Sequence, residues 1–364
     1  MTNTPDPQNA AETGAVPQHA VTESGHHAPS SQTSSQAPGS MPFDQAVQAA
    51  ADVVKAVSTV VVGKEEELSF VLAGILAGGH VLLEDYPGLG KTLAARSLAQ
   101  ALGLKFDRVQ FTPDLLPSDV TGSFLYNQGS HEFEFREGPL FTGLLLADEI
   151  NRTPPKTQSA LLEAMQEKQV TVEGTTHQLP RPFHVLATAN PIEYEGTYPL
   201  PEAQLDRFLL RLGFGYPDQD QEWDILERRM QRRTDDTSVP QVIDAEGLLA
   251  LQSAVEDVRI DESIGRYCVR VAAATRGHNS ILVGASPRGS QALLTVSRAV
   301  ALIRGRDYVV PEDIKDIAVY ALAHRITIKP ELWLQQITAE QVIAEVLASV
   351  PVPSDANTGA AAQR

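Results

Sequence analysis

Cysteine is almost absent from this chain. The single residue of that kind, Cys268, excludes an intramolecular disulfide and suits a reducing cytosol, so a cytoplasmic protein is expected. Cys268 falls within an expected helix, where a small core residue is the plainer reading than a nucleophile. The nine histidines are scattered, with no pair at metal-ligand spacing beside cysteine or acid partners. No apolar run approaches the roughly 18 residues that a membrane-spanning helix needs. Positive charge is also short: 29 Lys and Arg stand against 46 Asp and Glu, for a net charge of -17. That balance disfavours a protein whose main task is gripping nucleic acid, although a local basic channel stays compatible with it. The first 40 residues lack Lys and Arg and have almost no large apolar side chains. A Pro-, Ser- and Gln-rich stretch of this kind cannot bury enough surface to offset its ordering entropy, so a disordered tail is expected over 1–41. Without a basic start and an apolar core it is not a signal peptide. A second tail is expected over 351–364.

What is present is a strand, a glycine loop and a helix in immediate succession. The apolar run His80-Val81-Leu82-Leu83 leads into Asp85-Tyr86-Pro87-Gly88-Leu89-Gly90-Lys91-Thr92, and the helical run Leu93–Ala99 follows. Glycines let backbone N–H groups turn inward around phosphate oxygens, and the helix that follows points its positive end at the same anion. Lys91 can reach the outer phosphates and Thr92 can offer a hydroxyl to Mg²⁺. Asp85 stands where the strict pattern places its first glycine, so the match is incomplete at that position.

Further on, Leu144–Ala147 is a short bounded apolar run tipped by Asp148 and Glu149, as a buried parallel strand ending in two acids. In an open α/β sheet this tip lies beside the glycine loop. Asp148 would then hold Mg²⁺ through water, and Glu149 would polarise an attacking water.

The rest of the pattern divides the chain. Helices are expected over Asp44–Val62, with Asp44 as cap, and over Glu65–Ala77. Strands are expected at 106–111, 183–188 and 208–212, and hairpins at 123–136 and 170–179. From Asp218 the periodicity is helical only, with Ser286-Pro287 and Pro311 opening helices. The expected architecture is therefore an α/β nucleotide domain with a parallel sheet over 42–217, followed by a linker and small helical lid over 218–350.

Taken together, five segments resemble the MoxR family of AAA+ ATPases over roughly residues 42–350. They are Gly88–Thr92, Leu146–Arg152, Ala187–Pro191, Leu200–Phe208 and Gly284–Arg288. The resemblance implies ATP as substrate with Mg²⁺, and a homo-oligomeric ring, a hexamer in the usual case. It also implies chaperone-like work on partner proteins, among them proteins carrying von Willebrand factor A domains. By the same resemblance Asn190 senses the γ-phosphate, Arg207 is a finger reaching a neighbour's nucleotide, and Val62-Gly63 line the adenine pocket. Arg288 is the lid arginine that contacts phosphate, in its own subunit or the next, and Arg152 is a further interface residue. The residues alone also allow Asn190 as a turn residue, Arg207 as a surface partner of Asp206, and the first hairpin as an edge packed on its own domain. Two other functions remain beside the leading one. A nucleic-acid motor is disfavoured by the acidic balance, and a chelatase-type motor subunit shares these motifs.

Overall fold

Five parallel strands form the main sheet of the computed structural model, which describes residues 39–191, 197–234 and 237–353. The expected tails, apart from 39–41 and 351–353, lie outside the described residues. In chain order, α1 (Phe43–Ser58) and α2 (Glu65–Leu76) precede β1 (Val81–Glu84), α3 (Lys91–Ala101) and β2 (Phe106–Gln110). A short α4 (Pro117–Thr121) leads into the hairpin β3 (Gly122–Asn127) and β4 (Glu132–Glu137). Then come β5 (Leu144–Asp148), α5 (Pro155–Glu167), the hairpin β6 (Gln169–Val172) and β7 (Thr175–Gln178), β8 (His184–Ala189), α6 (Glu202–Leu205) and β9 (Leu210–Leu212).

The sheet order is β2-β5-β8-β1-β9, with every pair parallel. β5 and β8 are buried at every position, which is why their sequences are continuous apolar runs and not alternating ones. α1, α2 and α3 cover one face, and α5 with the hairpins covers the other. Because β1 sits between β8 and β9, the loop after β1 opens beside the ends of β5 and β8.

The helical part follows as α7 (Gln219–Arg232), α8 (Ala245–Glu256), α9 (Glu262–Gly277), α10 (Pro287–Ile303), α11 (Pro311–Leu322) and α12 (Ala339–Ser349). The expectation of helices alone here needs a correction. β10 (Ile281–Val283) and β11 (Thr327–Ile328) pair antiparallel, a ribbon too short to leave a period in the sequence. Helix α1 is also shorter than expected. Ser58 and Thr59 turn their hydroxyls onto the carbonyls of Val54 and Ala56, competing with the backbone at the helix end. Its N-cap is Pro42, and Asp44 lies in the first turn. At α10, Ser286 accepts from the Arg288 amide as cap, as its sequence implies.

Candidate active site

The loop between β1 and α3 takes its shape from two left-handed glycines, Gly88 at φ 83° and Gly90 at φ 80°. A β carbon at either would meet nothing within 4 Å, so the loop encloses open space. Steric strain in the backbone, and not crowding, is what requires glycine there. Gly90 caps α3, whose first residues are Lys91 and Thr92. Lys91 Nζ donates to the carbonyls of Asp85 and Tyr86, the latter at 2.9 Å. Burial lowers the Lys91 pKa, while Asp85, Asp148 and Glu149 nearby hold it up.

A cavity of about 400 Å³ is lined by Pro87–Leu93, Asp148, Glu149 and Asn190, with Arg108 and Thr188. The structure therefore brings together the loop, the acid pair and the candidate sensor. Asp148 accepts from Thr188 Oγ1 at 2.5 Å and from Arg108 Nη2 at 2.7 Å. The Glu149 amide donates to Thr188 Oγ1 at 2.8 Å, so one hydroxyl fixes both acids. Glu149 itself leaves the strand at φ 57° and ψ 50°. For a residue with a β carbon that conformation costs about 1–2 kcal/mol, and here it turns the carboxylate out of the sheet. Glu149 Oε2 then accepts from Gln110 Nε2 at 2.6 Å and Arg152 Nη1 at 2.8 Å. Arg152 thus sits on its own chain's acid.

Sequence reasoning did not assign Arg108, Gln110 and Thr188 to the site. Each is an ordinary strand residue whose role comes from the neighbouring strand, so no local motif marks them.

The residues fit a Mg²⁺–nucleotide. An open glycine cradle stands at a helix N-terminus, a lysine is bonded only to loop carbonyls, and a hydroxyl and a carboxylate face the same space.

Val62 and Gly63 lie elsewhere around the loop. A β carbon on Gly63 would run into Gln221 at the start of α7, and Lys64 Nζ donates to the Tyr216 carbonyl at 3.3 Å. Tyr216 in turn places its ring 5.6 Å from that of Tyr86 in the loop.

Arg207 and Arg288 do not line the loop cavity. Both line a second cavity of about 680 Å³ between the starting end of β1, the end of α5 and helices α9 and α10. Arg207 Nη1 donates to the Leu162 carbonyl at 2.6 Å, and its Nε is buried without a hydrogen-bond partner. Arg288 Nε lies 3.9 Å from Asp206.

A glycine loop at a helix N-terminus, an acid-tipped interior strand and a trailing helical part are the architecture of a P-loop nucleotide hydrolase. A model of the ATPase family associated with various cellular activities matches residues 80–210, and one of an AAA lid domain matches 273–346. The chain is 52% identical over 300 residues to the uncharacterized protein YeaC of Bacillus subtilis, covering 82% of this chain and 93% of that one. To Chaperone MoxR1 of Mycobacterium tuberculosis it is 43% identical over 306 residues, covering 82% and 80%. A crystal structure from Cytophaga hutchinsonii superposes with a TM-score of 0.80 at 42% identity, covering 86% of this chain and 97% of that one. The chain belongs to the MoxR family of AAA+ ATPases, and its enzymatic activity is ATP hydrolysis. Among the described residues no helix is long and apolar enough to cross a membrane.

Proposed function

We propose that this ATPase works as a head-to-tail ring, six-membered in the family's usual form, that couples ATP hydrolysis to remodelling of partner proteins. One observation carries the reading. The chain presents a loop cavity holding lysine and acids, while Arg207 and Arg288 face a different cavity. Two arginines set apart from their own phosphate site suit a neighbour's nucleotide, where they would offset charge that develops in the transition state. On this reading Arg288 acts in trans together with Arg207.

Within one subunit the roles follow from position. Lys91 and the amides of Gly88–Thr92 hold the phosphates. Thr92 and Asp148 would hold Mg²⁺, which when bound supplies positive charge to the phosphate oxygens. Asn190 orients the attacking water and Glu149 accepts its proton, once Gln110 and Arg152 release the carboxylate. Val62 and Gly63 border the base. The α/β core is residues 42–217, and the linker with the helical lid is residues 218–350. The name of the Mycobacterium relative, Chaperone MoxR1, supports chaperone-like work. Proteins with von Willebrand factor A domains are the client class to test first, in the cytoplasm.

The test uses two variants. Lys91→Ala should lose tight ATP binding. Glu149→Gln should bind ATP and fail to turn it over, and so retain partner proteins on purification from native cells. Wild-type turnover by Glu149→Gln, or the same partners retained by Lys91→Ala, would overturn the assignment.

A further inference from the structure

Helix α7 buries none of its residues, yet it is amphipathic. Gln221 packs against Gly63, and Arg228 donates to the carbonyls of Ser58 and Thr59 at 3.3 and 2.8 Å. Those two residues mark the side facing the core. At 3.6 residues per turn, Trp223, Leu226 and Met230 fall on the opposite side, one above another. They are 59%, 52% and 58% exposed. A contiguous apolar stripe of this kind on a water-facing helix marks an interaction surface.

The same chain carries an open, largely apolar cavity. The cavity of about 680 Å³ that holds Arg207 and Arg288 has walls that include Leu209, Cys268, Val269 and Leu294, and they are mainly apolar. Val269 stands at its mouth, 56% exposed. Charge matches as well. Lys168, Arg207, Arg288 and Arg325 outnumber Asp206 in the cavity, while Asp220 and Glu227 flank the α7 stripe on one side and Glu222 with Arg229 on the other.

We propose that the Trp223-Leu226-Met230 stripe of one copy seats in the α9–α10 cavity of the next copy. The surfaces differ, so the contact is heterologous and propagates head to tail. The inference rests on the ring reading above and supplies its contact. α7 is tied to the nucleotide loop, because Gly215, just before it, donates to Asp85 at 2.7 Å. Seating α7 in the cavity therefore sets Arg207 and Arg288 of the receiving copy on the side where the copy that donates α7 carries its loop.

The experiment places cysteines at the two surfaces. Leu226→Cys and Val269→Cys are combined in one chain, or made singly and mixed, with ATP and Mg²⁺ present. The native Cys268 is buried, which pushes its thiol up to about 12 and keeps it out of the chemistry. The double variant should oxidise to a ladder of covalent multimers, and the mixed single variants to a heterodimer only. A separate Leu226→Asp/Met230→Asp chain should melt like wild type, since both positions are exposed. Its assembly, followed by sedimentation, should shift about tenfold or more toward higher protein concentration. Dimers of each single variant alone, or wild-type assembly by the double aspartate chain, would overturn the proposal. Mixing Lys91→Ala with Arg207→Ala chains separates the two ideas. Restored turnover without the ladder keeps the arginine reading and removes the α7 contact. A ladder without restored turnover does the reverse.

Discussion

Asp85 Oδ2 accepts the backbone amide of Gly215 at 2.7 Å, across 130 residues of sequence. The other carboxylate oxygen accepts the Tyr86 amide at 2.9 Å. Asp85 is the departure from the strict glycine pattern, and this is its physical reason: the side chain is buried and ties the start of the loop to the exit from β9. A β carbon on Gly213 would meet the Glu84 carbonyl at 2.7 Å and this carboxylate at 3.2 Å, so the strand exit has no room for a side chain beside them.

Replacing Asp85 with glycine restores the pattern and should nonetheless weaken the protein. Hydrogen bonds to a charged group are worth about 1.5–3 kcal/mol each, and two would be lost. Asp85→Gly should melt several degrees lower and bind ATP more weakly, because loop and α7 connection loosen together. Calorimetric melting and nucleotide titration check this, and wild-type behaviour in both would remove Asp85 from the role.

Core and helical part meet at a second carboxylate. Asp206 Oδ1 accepts from Arg325 Nε at 2.8 Å, and Arg325 also donates to the carbonyls of Phe208 and Leu209. The arginine side chain is 3% exposed, and burial lowers its pKa against the pull of Asp206. Removing one member of such a pair leaves an uncompensated buried charge, at about 3–5 kcal/mol. Asp206→Ala should therefore be far more destabilising than the nearby Arg288→Ala, whose guanidinium is half exposed. Equal denaturation midpoints for the two variants would contradict this.

These examples show what could be read from the chain before its fold. Gly88 to Thr92, Asp148 and Glu149 were legible because their chemistry is written contiguously and follows an apolar strand. Arg108 and Thr188 were not, since each reaches Asp148 from 40 residues away through parallel pairing. Arg325 carries no local signal at all; only the packing of α11 against β9 makes it a buried anchor. Arg288 was legible as a residue type at a helix start, but not the cavity it faces. The β10–β11 ribbon leaves no sequence signal, because Leu282 and Val283 are exposed and its second strand has two residues.

Two of the three buried histidines among the described residues, His80 and His184, show how stability comes to depend on pH. His80 Nδ1 accepts the Val185 amide and its Nε2 meets the Met165 carbonyl, while His184 meets the Gly79 carbonyl and Gln252. Each ring thus uses one donor and one acceptor, which is the neutral form. Burial pushes His80 down to about 3 and His184 to about 4 from 6.5. As pH falls below about 6.5 the unfolded chain takes up protons that the folded chain refuses. Stability should therefore fall by about 1.4 kcal/mol per pH unit for each ring, down to about pH 4, with no such contribution above neutrality. In urea titrations between pH 7 and 4.5, His184→Gln should show a slope shallower by that amount, whatever its absolute stability. An unchanged slope would mean that the ring is charged in the fold.

The ring proposed above, with loop and arginines in different cavities, predicts complementation. Arg207→Ala keeps an intact loop, acids and Asn190, so it should bind ATP nearly as wild type does and hydrolyse it slowly. Lys91→Ala has the reverse defect, a disabled loop beside a working arginine. Each variant alone should be almost inactive. After the two are mixed and allowed to exchange subunits, random pairing in a head-to-tail ring gives about a quarter of interfaces a sound loop facing a sound arginine. Steady-state turnover should then rise above that of either parent. The rise should depend on exchange, appearing after dilution and reassembly and not on simple addition to preformed rings. Subunit exchange is followed independently with fluorescently labelled chains. A mixture that exchanges fully and stays as inactive as its parents would place the action of Arg207 within its own chain.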